Sequence, residues 1–197
     1  PVFALEAPSF EARRGAIARL GERMKLGSLR SVELDHGIVM ASENGDITHF
    51  HASGALWARD AMAAKGATDE MRRWDGLVKS TVDDQRVALS PDASKKLIAQ
   101  TRELLEPLGL LGKELASASV QLEQVAQLDG KGREIAHGAG QAAVKFQYAV
   151  GGVPVRGAGA KTQAFIEPGT SGGSDPRFGG VFHAWRGLGK DQAIKLP

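Results

Sequence analysis

Two of the five histidines, His49 and His51, lie two residues apart in a segment that is predicted to be a strand. Side chains two apart on a strand share a face, so both imidazoles could reach one metal ion. The spacing of the other histidines, His36, His137 and His183, indicates no third ligand. We therefore predict polar or hydrogen-bonded roles for the histidines, and neither a metal site nor a cofactor.

The sequence GTSGG at residues 169–173 is similar to the nucleophile loop of trypsin-like serine peptidases, in which glycine amides surround the serine. His49 or His51, followed by Asp92, would even place the other two members of a triad in the matching chain order. However, Asp92 begins a predicted helix, and neither histidine lies in a small-residue motif. A Gly/Ser loop is the favoured interpretation, and a serine hydrolase using Ser171 is an alternative.

A second enzymatic alternative starts from Pro1, because tautomerases use an N-terminal proline as a general base on a strand that leads to a helix. Such chemistry needs a lowered amine pKa and nearby arginines to hold a carboxylate substrate. Arg13 and Arg14 are the nearest arginines, and the sequence marks them as ordinary helix residues. A tautomerase-like enzyme therefore stays an alternative only.

A binding surface is the preferred interpretation of the C-terminal part of the chain. If the predicted strands 160–166 and 181–186 pair, they bring an aromatic side chain and several cations together. Trp and Arg are frequent interface anchors, and an edge strand can accept a partner strand. The candidate binding residues are Arg156, Lys161, Gln163, His183, Trp185 and Arg186. The alternatives are that Trp185 belongs to the core, or that the sheet encloses a small-molecule pocket.

The composition limits the classes of partner. The 197 residues are 42% apolar and 24% charged, with no cysteine and a formal net charge of +2, so the chain should fold unaided. No apolar run approaches the roughly 20 residues that span a bilayer. The positive charges are interspersed with negative ones and form no basic block. We expect a protein or peptide partner, with no nucleic acid and no membrane span.

The first half of the chain is predicted to be a helix followed by a hairpin. Ser9 can cap a helix over residues 9–26, which Gly27 would end. Residues 32–40 alternate imperfectly before Asn44-Gly45, a dipeptide typical of tight hairpin turns. Residues 47–57 should then form the returning strand, with a bend at Gly54, and residues 60–89 a linker with a short helix near 70–74.

The second half begins with a clearer helix signal. Ser90, Pro91 and Asp92 combine a cap, a proline in the first turn and an acid at the helix N-terminus, which predicts a helix over residues 90–106. Residues 120–128 and 144–150 read as strands, and the alternation at 144–150 is the cleanest in the sequence. Gly151-Gly152 predicts a hairpin, and residues 160–166 and 181–186 complete a meander.

These elements predict an α+β fold in which antiparallel sheets are each covered by a helix. Both halves begin with a capped helix and continue into hairpins, so two tandem helix-plus-meander repeats are one option. The division is then a helix-plus-hairpin half with linker at residues 1–89 and a helix-plus-meander half at 90–197. One continuous domain is the other option.

Three short segments of the second half carry a family resemblance: FQY at residues 146–148, GVPVRGAGAK at 152–161 and FHAWR at 182–186. Together they resemble the PepSY and FTP type modules of secreted metallopeptidase propeptides and other exported bacterial proteins. The resemblance covers about residues 90–187. It implies a helix packed across a meander, an extracytoplasmic (periplasmic or secreted) location, and a non-enzymatic role as a peptidase inhibitor or chaperone-like partner of a secreted peptidase.

We predict that Ser171 is not an activated nucleophile, because no base is aligned with it by a recognisable motif. A fluorophosphonate probe, read out by mass spectrometry of the labelled peptide, should modify Ser171 no more in the native chain than after denaturation. The Ser171→Ala variant is the control. Labelling that disappears on both denaturation and substitution would establish the serine hydrolase alternative.

Overall fold

The computed structural model describes residues 2–61, 78–80, 87–157, 159–167 and 177–192. Within these ranges the chain forms two α-helices, α1 (Phe10–Arg23) and α2 (Pro91–Leu105), with a 3₁₀ helix at Glu106–Leu108 directly after α2. The strands are β1 (Val2–Glu6), β2 (Arg30–Leu34), β3 (Gly37–Ser42), β4 (Gly45–Phe50), β5 (Leu56–Asp60), β6 (Val78–Ser80), β7 (Val87–Leu89), β8 (Leu115–Leu128), β9 (Glu134–Val150), β10 (Val153–Pro154), β11 (Lys161–Glu167), β12 (Arg177–His183) and β13 (Gly187–Gln192).

Both helices begin at the serine caps that the sequence predicts. The Ser9 hydroxyl accepts a hydrogen bond from the amide of Ala12, and the Ser90 hydroxyl accepts one from the amide of Ala93, each at 3.2 Å. Pro91 lies in the first turn of α2, where its missing N–H loses no helical bond. Helix α1 is shorter than predicted and ends before Gly27, because Lys25 already has a left-handed φ of 57°.

The main sheet joins strands from both ends of the chain. Among the described residues, nine strands form one antiparallel sheet in the order β2-β3-β4-β5-β12-β11-β9-β8, with the short β10 also pairing with β9. The main-sheet strands of the first half enter in chain order and those of the second half in reverse order, so β5 and β12 lie side by side. The expected α+β class with antiparallel pairing is confirmed.

Several strand predictions are correct and two are wrong. The hairpins at Asn44 and at residues 151–152 are present, and β9 and β11 cover the predicted strands. Residues 47–57 are not one strand, because Gly54 adopts a left-handed φ of 62° and its amide bonds Phe50 O, which turns the chain between β4 and β5. Residues 32–40 likewise form two strands, β2 and β3, paired in a hairpin.

The sheet has one face turned to the core and one turned away from it. A row of fully buried side chains crosses neighbouring strands on the first face: Ile47, Ala58, Val181, Ala164 and Val144. Buried residues of both helices, among them Ile17 and Leu104, belong to the same hydrophobic cluster. We call this the core face, and the opposite one, which carries Trp57 and Phe182, the outer face.

Other parts of the chain add little to this sheet. Strands β1 and β13, which the sequence did not indicate as a pair, form a separate two-stranded sheet, as do β6 and β7. The predicted linker at residues 60–89 lies mostly outside the described residues, and the predicted short helix near 70–74 lies wholly outside them. In the part of the chain that is described, no helix has the length and apolar content needed to cross a membrane.

We predict that Leu104→Asp destabilises the fold, because Leu104 is buried in the central cluster and the new carboxylate would have no partner there. Loss of a buried leucine side chain alone costs about 2–5 kcal/mol, and an unpaired charge adds to that. Urea unfolding followed by circular dichroism measures the change. Leu128→Asp, at a leucine that is 57% exposed, is the matched control and should leave the unfolding midpoint nearly unchanged. Equal midpoints for Leu104→Asp and wild type would contradict the packing described.

Candidate functional site

An aromatic cluster lies at the centre of the outer face. Trp57 on β5 contacts Phe182 on β12 and Phe165 on β11, with ring centroids 5.6 Å apart in both pairs and edge-to-face geometry. All three rings are half-buried. Trp57 and Phe182 are direct cross-strand partners, so the cluster lies over the line where β5 meets β12.

Local sequence explains why these rings point outward. Strand side chains alternate, so the buried Leu56 and Ala58 leave Trp57 between them on the outer face. Gly180 stands beside the cluster, and a Cβ there would lie 3.1 Å from Ala58 O and 3.5 Å from the Phe165 ring. The close distance is the one to Ala58 O, so the glycine allows β12 to approach the main chain of β5 beside the cluster.

Lysines and a glutamine border the aromatic cluster. The Lys161 ammonium lies 5.4 Å from the centroid of the Phe182 ring, a cation–π arrangement. Gln163 is paired in register with Phe182 on one side and with Lys145 on the other, and Lys145 donates to the Gln121 side chain. Among the described residues, no carboxylate lies within ion-pair distance of either lysine. Lys145 and Lys161 thus place positive charge at this border of the cluster.

Two open depressions flank Phe165 on the same face. They have volumes of about 190 Å³ and about 290 Å³ and share Phe165 and Gln141 in their linings. The smaller depression is also lined by Trp57 and Arg59. The Arg59 guanidinium forms an ion pair with the Asp46 carboxylate at 2.8 Å. The larger depression is lined by three side-chain amides together with one carboxylate and one ammonium group: Gln121, Gln141, Gln163, Glu123 and Lys145. Amides can both donate and accept, so this surface can bind a peptide main chain beside an apolar side chain.

A second cluster of polar groups lies on the core face and is closed to solvent. The Tyr148 hydroxyl lies 2.6 Å from the Thr162 hydroxyl, which lies 2.8 Å from Nδ1 of His183. Trp185 stacks on the Tyr148 ring with centroids 4.3 Å apart. A threonine hydroxyl that is hydrogen-bonded to an imidazole resembles a nucleophile paired with its general base. Here, however, both groups are buried, with Thr162 0% and His183 2% exposed.

Arg13 of α1 extends into this buried cluster. Its side chain is 9% exposed and donates from Nη2 to Trp185 O at 3.3 Å, while Nη1 has no partner among the described residues. Burial lowers the pKa of Arg13 to about 10, which still leaves it charged at neutral pH. Burial and then the Arg13 charge lower the pKa of His183 to about 3, and the same two causes help to lower the pKa of His49. Both histidines are therefore neutral at pH 7.

Sequence patterns indicated no role for Arg13 beyond that of an ordinary helix residue. Arg14 fits that description, since it is exposed and pairs with Glu11. Arg13 does not, because it precedes the buried Ile17 and Leu20 by four and seven residues and so lies on the same helix face. That spacing was the signal available in the sequence.

The six predicted binding residues do not form one surface. Lys161 and Gln163 lie on the outer face, and Arg156 is exposed after β10. His183 is turned to the core face by the alternation of β12, and Trp185 is only 5% exposed, in its stack on Tyr148. Arg186 is half-buried. The interpretation of Trp185 as a core residue is the one that its burial favours.

The residues of the enzymatic and metal alternatives are not assembled in the described part of the chain. His49 Nε2 lies 3.2 Å from Pro8 O, and Asp92 lies 3.9 Å from the Lys95 ammonium, so these two groups have partners other than each other. The rings of His49 and His51 are 6.1 Å apart, and no third acidic or histidine ligand joins them among the described residues. Ser171 and Pro1 lie outside those residues.

Comparison with known proteins assigns the chain to no family. No protein-family model matches the chain, and no match was found to a curated protein or to a solved structure.

We predict that His183 makes stability fall in acid. Its pKa in the folded chain, about 3, lies below the ordinary value of 6.5, so the unfolded chain binds the extra proton between these two pH values. Stability should therefore be unaffected by this group above pH 6.5 and decrease by up to about 1.4 kcal/mol per pH unit below it.

The measurement is the free energy of unfolding in urea as a function of pH. His183→Asn, which can keep the hydrogen bond to Thr162 without titrating, should show a shallower slope between pH 6 and pH 4. His51→Asn, the same substitution at a more exposed histidine, is the variant against which the slope of His183→Asn is compared. Identical slopes for wild type and His183→Asn would show that His183 is not held neutral by the fold.

Proposed function

We propose that the protein is a non-enzymatic binding module that holds a protein or peptide partner on the outer face of its sheet. The observation that carries the proposal is the half-buried cluster of Trp57, Phe165 and Phe182 at the centre of that face. Interface energy concentrates in aromatic anchors that lose their remaining solvent contact on binding. The two adjoining depressions supply room for side chains of the partner.

Two lysines of this face favour acidic groups in the partner. Lys145 is the cross-strand neighbour of Gln163 on β9, and Lys161 lies two residues before Gln163 on β11, so the two lysines are diagonal neighbours on the outer face. Neither has a carboxylate partner among the described residues. A partner segment with an apolar side chain between carboxylates would fill a depression and bind both lysines. Charge complementarity of this kind raises the association rate and excludes basic partners. The side-chain amides of Gln121 and Gln141 can pair with the main chain of such a segment.

The proposal assigns no chemical step to the buried cluster. Tyr148, Thr162 and His183 satisfy one another and are covered by Trp185, so their arrangement is that of a structural network. Serine hydrolase and tautomerase activities stay as alternatives that depend on Ser171 and Pro1.

The resemblance of residues 90–187 to PepSY and FTP modules supplies a candidate partner. A secreted peptidase, inhibited or assisted by non-covalent contact, is the partner that the resemblance implies for an exported protein. An acidic strand or loop of such an enzyme has the chemistry that the outer face would bind. A small molecule in one of the open depressions is the competing occupant.

We also propose that the chain consists of two helix-plus-meander units, each with its helix against its own strands. Support comes from the order of elements, since α1 precedes β2–β5 and α2 precedes β8, β9, β11 and β12. Ser9 and Ser90 cap the two helices in the same way. The units would then meet through their last strands, which places one aromatic from each, Trp57 and Phe182, in direct contact.

A displayed library of random peptides, selected on the immobilised full chain, tests the binding proposal. Enriched peptides should carry an aromatic or large aliphatic residue beside Asp or Glu. The double variant Lys145→Glu/Lys161→Glu should bind a selected peptide at least about tenfold more weakly, which corresponds to ~1.4 kcal/mol. Binding is measured by fluorescence anisotropy of the labelled peptide.

The matched control is Lys95→Glu/Lys131→Glu, which makes the same change of net charge at two exposed lysines away from the outer face. It should bind within about twofold of wild type, because surface charges beyond a Debye length of roughly 10 Å are screened. No enrichment, or equal weakening by both double variants, would refute an acidic partner on this face.

A further inference from the structure

The two depressions of the outer face lie next to each other across the strands. Phe165 pairs in register with Gly180 of β12 and with Ala143 of β9. Gly180 lines the smaller depression, Ala143 lines the larger one, and the half-buried Phe165 ring lines both. A ligand that crosses the strands therefore meets a low position, an aromatic ring and a second low position.

The spacing of the two depressions limits the conformation of a peptide that fills both. Neighbouring strands lie about 4.8 Å apart, so Gly180 and Ala143, which are two strands apart, are separated by roughly 10 Å. Side chains on one face of an extended strand recur at about 6.6 Å and about 13 Å, which does not match. A polyproline II helix has three residues per turn and a rise of about 3.1 Å, so residues three apart share a face at about 9.3 Å, which does.

The Phe165 ring argues against an α-helix, the other conformation with a suitable repeat. Residues seven apart on an α-helix are about 10.5 Å apart along its axis. The residues three and four positions along from the first lie on the same helix face and would meet the Phe165 ring. In a polyproline II segment the two residues between the anchors point to the sides, so the ring is left clear.

The lining of the depressions has the chemistry that such a segment needs. Polyproline II segments bind to aromatic-lined grooves, and Trp57 and Phe165 line the smaller depression in edge-to-face contact. The segment has no internal hydrogen bonds, so its carbonyl groups need donors from the protein. The side-chain amide of Gln141 supplies N–H groups, and it lines both depressions.

We infer that the outer face binds a polyproline II segment of its protein partner, with two prolines three positions apart in the two depressions. The inference rests on the binding role proposed above and specifies the conformation of the partner. An apolar cavity of roughly 150 Å³ holds a benzene molecule, so depressions of about 190 Å³ and about 290 Å³ each have room for a proline ring.

The charges of the larger depression specify where an acidic residue of the segment lies. Lys145 is on one wall and Glu123 is on the other, where its carboxylate accepts from the Gln141 amide. A carboxylate in the segment is attracted to Lys145 and repelled by Glu123. An Asp or Glu between the two prolines, or next to them, therefore turns towards Lys145.

Displayed peptide libraries with two fixed prolines and random residues around them test the spacing. Three libraries, with the prolines two, three or four positions apart, are selected on the immobilised full chain. The library with a spacing of three should give the tightest binders, enriched in Asp or Glu. Inserting one residue between the prolines of a selected peptide should weaken its binding at least about tenfold, measured by fluorescence anisotropy. Equal affinities for the two peptides would overturn the inference.

A second change to the selected peptide separates a polyproline II segment from a helix. Replacing both prolines by alanine, the residue with the highest helix propensity, removes the preformed conformation. Binding should weaken at least about fivefold, because the peptide must then be ordered on binding. Unchanged or tighter binding would show that the occupant is helical and would contradict the inference.

The position of the segment is tested by filling one depression. Ala143→Leu fills the larger depression from its floor and should weaken binding of the selected peptide at least about tenfold. Ala41→Leu, the same change at an exposed alanine of the outer face on β3, is the matched control and should bind within about twofold of wild type. Both variants should keep the wild-type circular dichroism spectrum. Equal binding by the two variants would show that the segment does not occupy this depression.

The unrestricted random library distinguishes failure of this inference from failure of the proposed function. Its binders can be weakened by Lys145→Glu/Lys161→Glu and still show no preference for prolines three apart. In that case the outer face binds a partner and the polyproline II inference is wrong. If neither the random library nor any proline library gives a binder, both proposals are wrong.

Discussion

The antiparallel pairing of β5 with β12 is the interaction on which the rest of the structure depends. It joins strands that are more than 100 positions apart in the chain, and four residue pairs set its register. With that register, Ala58 and Val181 face the core while Trp57 and Phe182 face outward. A slip of one residue would exchange these two sets, burying the tryptophan and exposing the small core residues. The ion pair between Asp60, at the end of β5, and Arg177, at the start of β12, holds the same register.

The polar groups of the core face impose a second constraint. A buried arginine without a carboxylate partner is costly, and it is tolerated only where the surrounding groups are fixed. Here Trp185 O accepts from Arg13, and the neighbouring imidazoles are kept neutral, which avoids adding further positive charge. The chain of hydrogen bonds from Tyr148 to His183 orients the groups around it. Helix α1 is thus attached to the sheet by polar as well as apolar contacts.

The two faces of the sheet consequently have different roles. Buried residues of both helices pack with the core face in one cluster, whereas the outer face keeps half-buried aromatics, lysines and amides. Most of its strands have two neighbours, which makes the outer face a rigid surface, and β2 has only one among the described strands. A rigid surface loses little conformational entropy when a partner binds, which is the property that the proposed binding role requires.

Local features of this protein could be determined from the sequence alone. The serine caps, the proline in the first turn of α2, the hairpin at Asn44 and the alternation at residues 144–150 depend on neighbours in the chain, and each was predictable from residue type and spacing. The pairing of β5 with β12, the burial of Arg13 and the inward turn of His183 were decided by the tertiary structure. They depend on which strands meet, and strand pairing between distant segments leaves no periodic signal in either one. For the same reason the sequence grouped Trp185 with Lys161 as one surface, although the fold buries the first and leaves the second beside an aromatic cluster whose central member, Trp57, comes from the other half of the chain.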